Sequence, residues 1–255
     1  MITPPKKTIE GVKYDVAVKI CDMLKKGKRT FGSPGASLTH QAFNPEYASK
    51  GIDSNLAKVG LEGELSTAAV LKKWISDKPN AVLINSVHVR GWGKEEVDPE
   101  TGMIDGGDTD HIVVIGDEII LIDTKKWKKK ANYSIDDSGH VLRYNKPFPG
   151  GDLHMRQAIH MWLDYLDAEA ALTGIVCINS DDVTVFRNRN WYTQSYRLVE
   201  IGRFTELLDE KYGMIEDYDK EHINSTLISQ IVVNAVKPYD PRTRVLSKEI
   251  LARFK

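Results

Sequence analysis

The chain has 255 residues, 28% of them charged and 41% hydrophobic, with a formal net charge of -1. This is the ordinary balance of a soluble globular protein, and the length suits one large domain or one domain with sizeable additions. So small a net charge excludes any argument for nucleic-acid binding from overall charge, and a basic footprint has to be local. Two isolated cysteines, Cys21 and Cys177, offer no zinc spacing and suit a reducing cytoplasm. The first residues, MITPPKKTIEG, lack the apolar core of a signal peptide. No run approaches the roughly 20 apolar residues of a membrane span. The expectation is a cytoplasmic protein with no membrane partner.

In chain order, Val12, Val16, Ile20, Met23 and Leu24 recur at helical spacing and predict a helix over 8–26. Residues 30–53 are rich in Gly, Ser, Pro and Asn and read as a long connection. A second helix is expected at about 55–77, and AVLINSVHVR at 81–90 reads as a strand. Turn residues mark 91–107 as a loop. Two strands then flank Gly116-Asp117, a hairpin turn. Further turn signals fill 131–151. A helix is expected over about 152–171, with Asp152 as its N-cap. Strands follow at 174–179 and 183–187, and beyond about 200 the pattern is mostly helical. Alternating strands and helices predict an α/β domain with a mixed central sheet.

The chemistry gathers on the hairpin. Side chains alternate along a strand, so Asp123 and Lys125 share a face with Ile119 and Leu121. On the partner strand Asp110 shares a face with Ile112 and Val114. Folding about 116–117 brings Asp110 and Asp123 to the same end of the ladder. Two converging carboxylates make an oxygen-rich site suited to Mg²⁺ or Mn²⁺. Lys125 is placed to hold an attacking water or to stabilise extra negative charge on a phosphate.

A third carboxylate stands out in the second helix. Leu61, Leu65, Ala68, Leu71 and Ile75 form one apolar stripe, and Glu64 falls inside it. A glutamate there is costly unless paired, exposed at the stripe's edge or bound to a metal. Gly60 and Gly63 beside it would allow close approach of another backbone or a ligand.

Gly60-Leu-Glu-Gly-Glu64, Asp108-Thr-Asp-His111 and Ile122-Asp-Thr-Lys125, in that order, resemble the motifs of the nuclease-related domain (NERD) family of the PD-(D/E)xK nuclease superfamily. A later element, Pro147 to Gln157, is similar to that family's proline-containing loop and helical glutamine. The resemblance spans about residues 58 to 187. It implies a restriction-endonuclease-like core, a mixed sheet flanked by helices, and metal-dependent cleavage of phosphodiesters; the expected substrate is DNA ahead of RNA. Carried over by motif, Glu64 matches the helical glutamate, Asp110 the principal metal ligand, Asp123 the second ligand, Lys125 the catalytic lysine and Gln157 the late glutamine. The chain departs from the family in carrying Asp123 where glutamate is usual. That shortens the ligand arm by one carbon and bears on metal choice and rate.

Beyond the motifs, Lys126, Trp127, Lys128 and Lys129 admit two readings. They are either a nucleic-acid contact, with lysines on phosphates and the indole on a base, or a solvated strand extension that keeps a sheet edge soluble. His111 points away from Asp110's face and reads as a core histidine. Gln157 falls outside the Met155, Ile159, Trp162, Leu166 stripe. The expected layout is an N-terminal helical extension over 1–54, a nuclease-like core over 55–200, and a C-terminal helical region over 201–255 packed on that core. The flanking regions suit a recognition arm, a homodimer surface or padding of the core. Rival functions are a catalytically degenerate nucleic-acid-binding module and a protein-interaction scaffold of the same fold.

Overall fold

Strands buried on both faces read as near-continuous apolar runs, and the central strands of this chain do so. A computed structural model describes residues 1–9, 12–43, 54–88, 108–127, 129–148, 155–166, 171–187 and 196–235. The first half holds strand β1 (Ile2–Thr3), helix α1 (Tyr14–Lys25), β2 (Thr30–Phe31), α2 (Ala36–Phe43), α3 (Ser54–Trp74), β3 (Ala81–His88), β4 (Asp108–Ile115) and β5 (Glu118–Lys125). Then come three short strands, β6 (Asn132–Ile135), β7 (Val141–Arg143) and β8 (Lys146–Pro147), followed by α4 (Met155–Tyr165), β9 (Ala171–Ile178), β10 (Thr184–Phe186) and β11 (Tyr196–Glu200). The chain continues through α5 (Phe204–Met214), α6 (Asp217–Glu221), β12 (Ile223–Asn224) and α7 (Ser225–Val232).

Six strands form a mixed sheet in the order β11-β9-β5-β4-β3-β2. The pairs β3–β4 and β4–β5 are antiparallel, while β2–β3, β5–β9 and β9–β11 are parallel. Alternation sorts the side chains. Val82, Ile84, Ile112, Val114, Ile119 and Leu121 pack with α1, α4 and α7, through Ile20, Leu24, Trp162, Leu227 and Ile231. On the other face Leu83, Val113, Ile115, Ile120 and Ile122 pack with the end of α3 and with α5, through Leu71, Trp74, Phe204 and Leu208. Each of these fully buried aliphatic side chains is worth about 1.5–3 kcal/mol relative to exposure. The result is an α/β fold with a mixed sheet between helical layers. No described helix is long and apolar enough to cross a membrane.

The structure corrects several expectations. Residues 30–53 are not one connection: β2 joins the central sheet and α2 packs Leu38 and Ala42 against Ala57, Leu61 and Leu65 of α3. The turn residues Gly32 and Gly35, both at positive φ, lie between these two elements and link them rather than replace them. Residues 131–151 hold three strands that build a second sheet, β10-β6-β7-β8. Tyr144 and Asn145, at φ 53° and 59°, make the two-residue turn between β7 and β8, the left-handed pair of a type I′ hairpin. The helix expected to reach 171 stops at Tyr165, and Ala171 to Thr173 belong to β9. Strand β11 had no counterpart in the sequence reading. The loop at 91–107 and the cap at Asp152 lie outside the described residues. The flanking segments enter the main packing: α1 packs on α7, and β1 pairs in parallel with β12.

Gly32 is where β2 closes on β3. It sits at φ 69°, and a Cβ there would meet the main-chain oxygen of Asn85 at 2.1 Å. Gly32→Ala is expected to cost at least about 1–2 kcal/mol from the left-handed conformation alone. The urea midpoint should fall with the slope unchanged. An unchanged midpoint would show that β2 is free to move off β3.

Candidate active site

The site forms where the antiparallel ladder stops. The last paired rung between β4 and β5 is His111 with Ile122. One further step in that register would set Asp110 opposite Asp123. Instead the Thr124 main-chain N–H donates to Asp110 Oδ2 at 2.6 Å. The other flank of Asp110 is also irregular. The β3–β4 ladder pairs Asn85 with His111 and Val87 with Thr109, and omits Ser86, which would face Asp110. Ser86 is fully buried at φ 48°, in the left-handed region, a conformation of order 1–3 kcal/mol for a non-glycine residue. Its hydroxyl accepts from the Ala36 N–H at 3.0 Å, at the start of α2. Both neighbours of Asp110 therefore leave regular pairing at one level.

Helix α3 carries Glu64 over this end of the sheet. Gly63 lies against Thr124 and Lys126, although a Cβ there would meet Thr124 Cγ2 at 3.4 Å, an ordinary contact. Gly60 faces Leu38 of α2 instead. The glycines thus matter less for close approach than their spacing suggests. Glu64 is 4% exposed and Asp110 9% exposed. Lys125 Nζ binds Asp123 Oδ1 at 2.9 Å, as their shared strand face requires.

The electrostatics follow from this crowding. Burial pushes the Glu64 carboxyl well above the usual range, and Asp110, Asp108 and Asp123 push it further, against a smaller pull from Lys125. Asp110 is raised first by burial and then by Asp123 and Asp108; Lys125 and the Thr124 hydrogen bond oppose this. Burial alone would lower Lys125, but Asp123, Asp110 and Glu64 outweigh it and hold the ammonium charged. His111 is fully buried, and burial pushes it down to about 3, so the ring is neutral. Its Nδ1 meets Asn85 Oδ1 at 2.9 Å. Asn85 gives its amide to Phe31 O, and the His111 ring also meets the Glu64 main chain. The Cys177 thiol is buried and pushed up by that burial, which keeps it protonated.

Among the described residues four buried side-chain polar atoms have no hydrogen-bond partner, and three belong here: Glu64 Oε2, His111 Nε2 and Thr124 Oγ1. Orphaned buried polar atoms are rare and demand an explanation. An acidic oxygen without a donor, beside a second raised carboxylate, fits a hard divalent cation bound through oxygen. Glu64, Asp110 and Asp123 are the residues that could hold one. Their oxygens are not drawn as close as those of Asp117, Asp219 and His222, the one trio among the described residues whose ligand atoms all lie within 4.8 Å. That trio has structural work. Asp219 Oδ1 accepts from the Asp117 N–H at 2.9 Å and Asn224 donates to Asp117, which ties the β4–β5 turn to α6 and β12.

The structure therefore brings Glu64, Asp110, Asp123 and Lys125 together. Trp127 is half-buried and packs against the core, its ring 5.0 Å from both Tyr133 and Phe148. Lys126 pairs with Glu62 at 3.5 Å and Lys129 with Asp181 at 2.5 Å, so both ammoniums have carboxylate partners. Lys128 lies outside the described residues, as does the side chain of Gln157 on α4. Asn85, Ser86 and Asn179 were missed in sequence. Their only signal is a polar residue inside or at the end of an apolar run. No protein-family model, curated protein or solved structure matches the chain.

Glu64→Gln replaces a buried carboxyl whose ionisation is disfavoured, and one of whose oxygens lacks a partner, by a neutral amide able to donate. In EDTA at pH 8 this variant should be more stable than the wild type, by about 1–3 kcal/mol. A raised folded-state pKa gives stability that is complete below the unfolded value and lost as pH rises through the folded one. The advantage of Glu64→Gln should thus vanish below pH about 4 and grow as pH rises. Thermal melts from pH 4 to 9 check this, and an advantage that shrinks with pH would contradict the assigned electrostatics.

Proposed function

We propose that the chain is a Mg²⁺- or Mn²⁺-dependent nuclease that hydrolyses phosphodiester bonds, in DNA by its likeness to the nuclease-related domain family. The observation that carries this reading is the gathering of Glu64, Asp110 and Asp123 around Lys125 at one open end of the sheet, with a Glu64 oxygen left without a partner. The mixed sheet, with an acid-bearing hairpin and a glutamate helix lying over it, supports a restriction-endonuclease-like core.

In this reading Glu64, Asp110 and Asp123 hold the cation, which when bound polarises a phosphate oxygen and makes a bound water more acidic. Lys125 acts as a cation and not as a base, because three carboxylates keep it protonated. Its ammonium, within reach of Asp123, stabilises the extra negative charge that a phosphate gains during attack. Neutral His111 props the strand from behind through Asn85 and leaves the charge balance to the acids and the lysine.

A second reading has a specific observation in its favour. The three carboxylates are not drawn as close as the trio at the hairpin turn, as a binding module that has lost turnover would allow. A cleavage assay separates the two. Supercoiled, linear and single-stranded DNA and an RNA are incubated with Mg²⁺, Mn²⁺ or EDTA. The wild type should cut only with metal, and Lys125→Ala should lower kcat by about 10²–10³-fold. Binding without cutting by either protein would establish the degenerate module. Equal cutting by both would remove Lys125 from the mechanism.

A further inference from the structure

Asn179 immediately follows β9, at the end of the apolar run Gly174-Ile-Val-Cys-Ile178. Its main-chain N–H donates to the Lys125 carbonyl at 2.8 Å, which extends the β5–β9 ladder by one bond. Its side-chain Nδ2 donates to the Gly63 carbonyl and to Thr67 Oγ1, each at 3.1 Å. Gly63 is the residue before Glu64. One residue, 9% exposed, therefore ties the strand of the ammonium, through its main chain, to the helix of the third carboxylate, through its side chain.

The tether matters because of where α3 finds its other contacts. Around Glu64, Leu61 and Leu65 pack against α2, not against the sheet. The apolar contact of α3 with the sheet comes later, through Leu71 and Trp74. At the level of Glu64 the further links to the sheet among the described residues include a contact of the His111 ring with the Glu64 main chain, the van der Waals contact of Gly63, the Thr67 contact with the Cys177 thiol, and the Lys126–Glu62 pair. That ion pair is partly exposed and contributes little. Crowding of three carboxyls opposes close approach of α3 to the sheet here, and the Asn179 amide acts the other way.

We propose that Asn179 is a positioning residue of the active site: by holding the Gly63 carbonyl and the Lys125 carbonyl, it sets the separation between Glu64 and the Asp123–Lys125 pair. The inference rests on the nuclease reading. A displacement of about 1 Å at such a site costs roughly 10²-fold in rate. Losing a residue that orients a metal ligand typically costs about 10–100-fold in metal affinity or activity.

The test uses the full chain as wild type, Asn179→Ala, Asn179→Ser and Thr67→Ala. Mn²⁺ binding is measured by calorimetry, kcat and KM by cleavage of DNA, and the melting temperature in EDTA. Serine is the milder change, in case the alanine variant folds poorly, and it is too short to span to Gly63. Both Asn179 variants should bind Mn²⁺ roughly 10-fold more weakly and lose a similar factor in kcat, with KM for DNA unchanged. Thr67→Ala removes one partner of the amide but leaves the Gly63 link, and its Mn²⁺ affinity should stay at the wild-type level. Asn179 variants that melt lower yet keep wild-type Mn²⁺ affinity and kcat would reduce the residue to a structural role. Thr67→Ala weakening Mn²⁺ as much as Asn179→Ala would assign the effect to general loosening of the helix. A wild type that neither cuts nor binds Mn²⁺ would sink the nuclease reading and the positioning role with it, whereas an active wild type matched by Asn179→Ala would sink the positioning role alone.

Discussion

Everything around the site depends on one electrostatic constraint. Three carboxylates and a lysine are held in a poorly solvated corner where the mutual repulsion of the acids is only lightly screened. Lys125 cannot neutralise three acids, and it is committed to Asp123 at 2.9 Å. The imbalance has to be held by covalent and packing forces elsewhere. The sheet supplies them, because its strands are covered by helices on both faces and the rungs nearest the site are fully buried. A sheet packed on one side only would yield more readily to the same repulsion.

The way the ladder fails is as important as the residues it presents. Asp110 is flanked by Ser86 on one strand and by Asp123 and Thr124 on the other, and neither side completes a regular rung. The carboxylate of Asp110 takes the N–H of Thr124 that a straight ladder would have given to a carbonyl. Strain at Ser86 and the substituted hydrogen bond at Thr124 sit at the same depth. The strands part there, and the acids gain room between them without solvent entering the core behind. His111, directly beyond, closes that core with a neutral ring bonded to Asn85.

Much of the fold was legible in the sequence because its strongest signals are periodic. The run Ile119 to Ile122, the stripe Leu61–Leu65–Leu71 and the turn at Gly116-Asp117 each imply their element by local rules, and all three elements are present. What was illegible is short or non-local. The strands around Tyr133 and Val141 are too brief for alternation to stand out among turn residues, and α2 is made a helix by its packing on α3. In the site, Glu64, Asp110, Asp123 and Lys125 could be grouped because a carboxylate in an apolar stripe and an acid–lysine pair on one strand face are local anomalies. The packing of Trp127 was not legible because an aromatic among lysines has the same local sequence whether its ring faces solvent or packs on Tyr133. Asn179 and Ser86 act through main-chain atoms of distant elements, and pairing of that kind leaves no mark on nearby residues.

The pairing of β1 with β12 joins Ile2 to Ile223, and the Thr3 side chain bonds the Ile223 carbonyl across the same gap. Closing a loop of that length carries a large entropic cost before any contact rewards it, so this small sheet is favoured only once the central strands have brought its ends near. On a ribosome, the first strand has no partner until the chain has emerged past residue 224. Its apolar face, and the face of α1 that α7 covers, stay open until those later segments have been made. The central sheet has all its strands by residue 200 and can assemble ahead of them. This topology favours an order of folding in which the central strands come first and the β1–β12 pair closes after them.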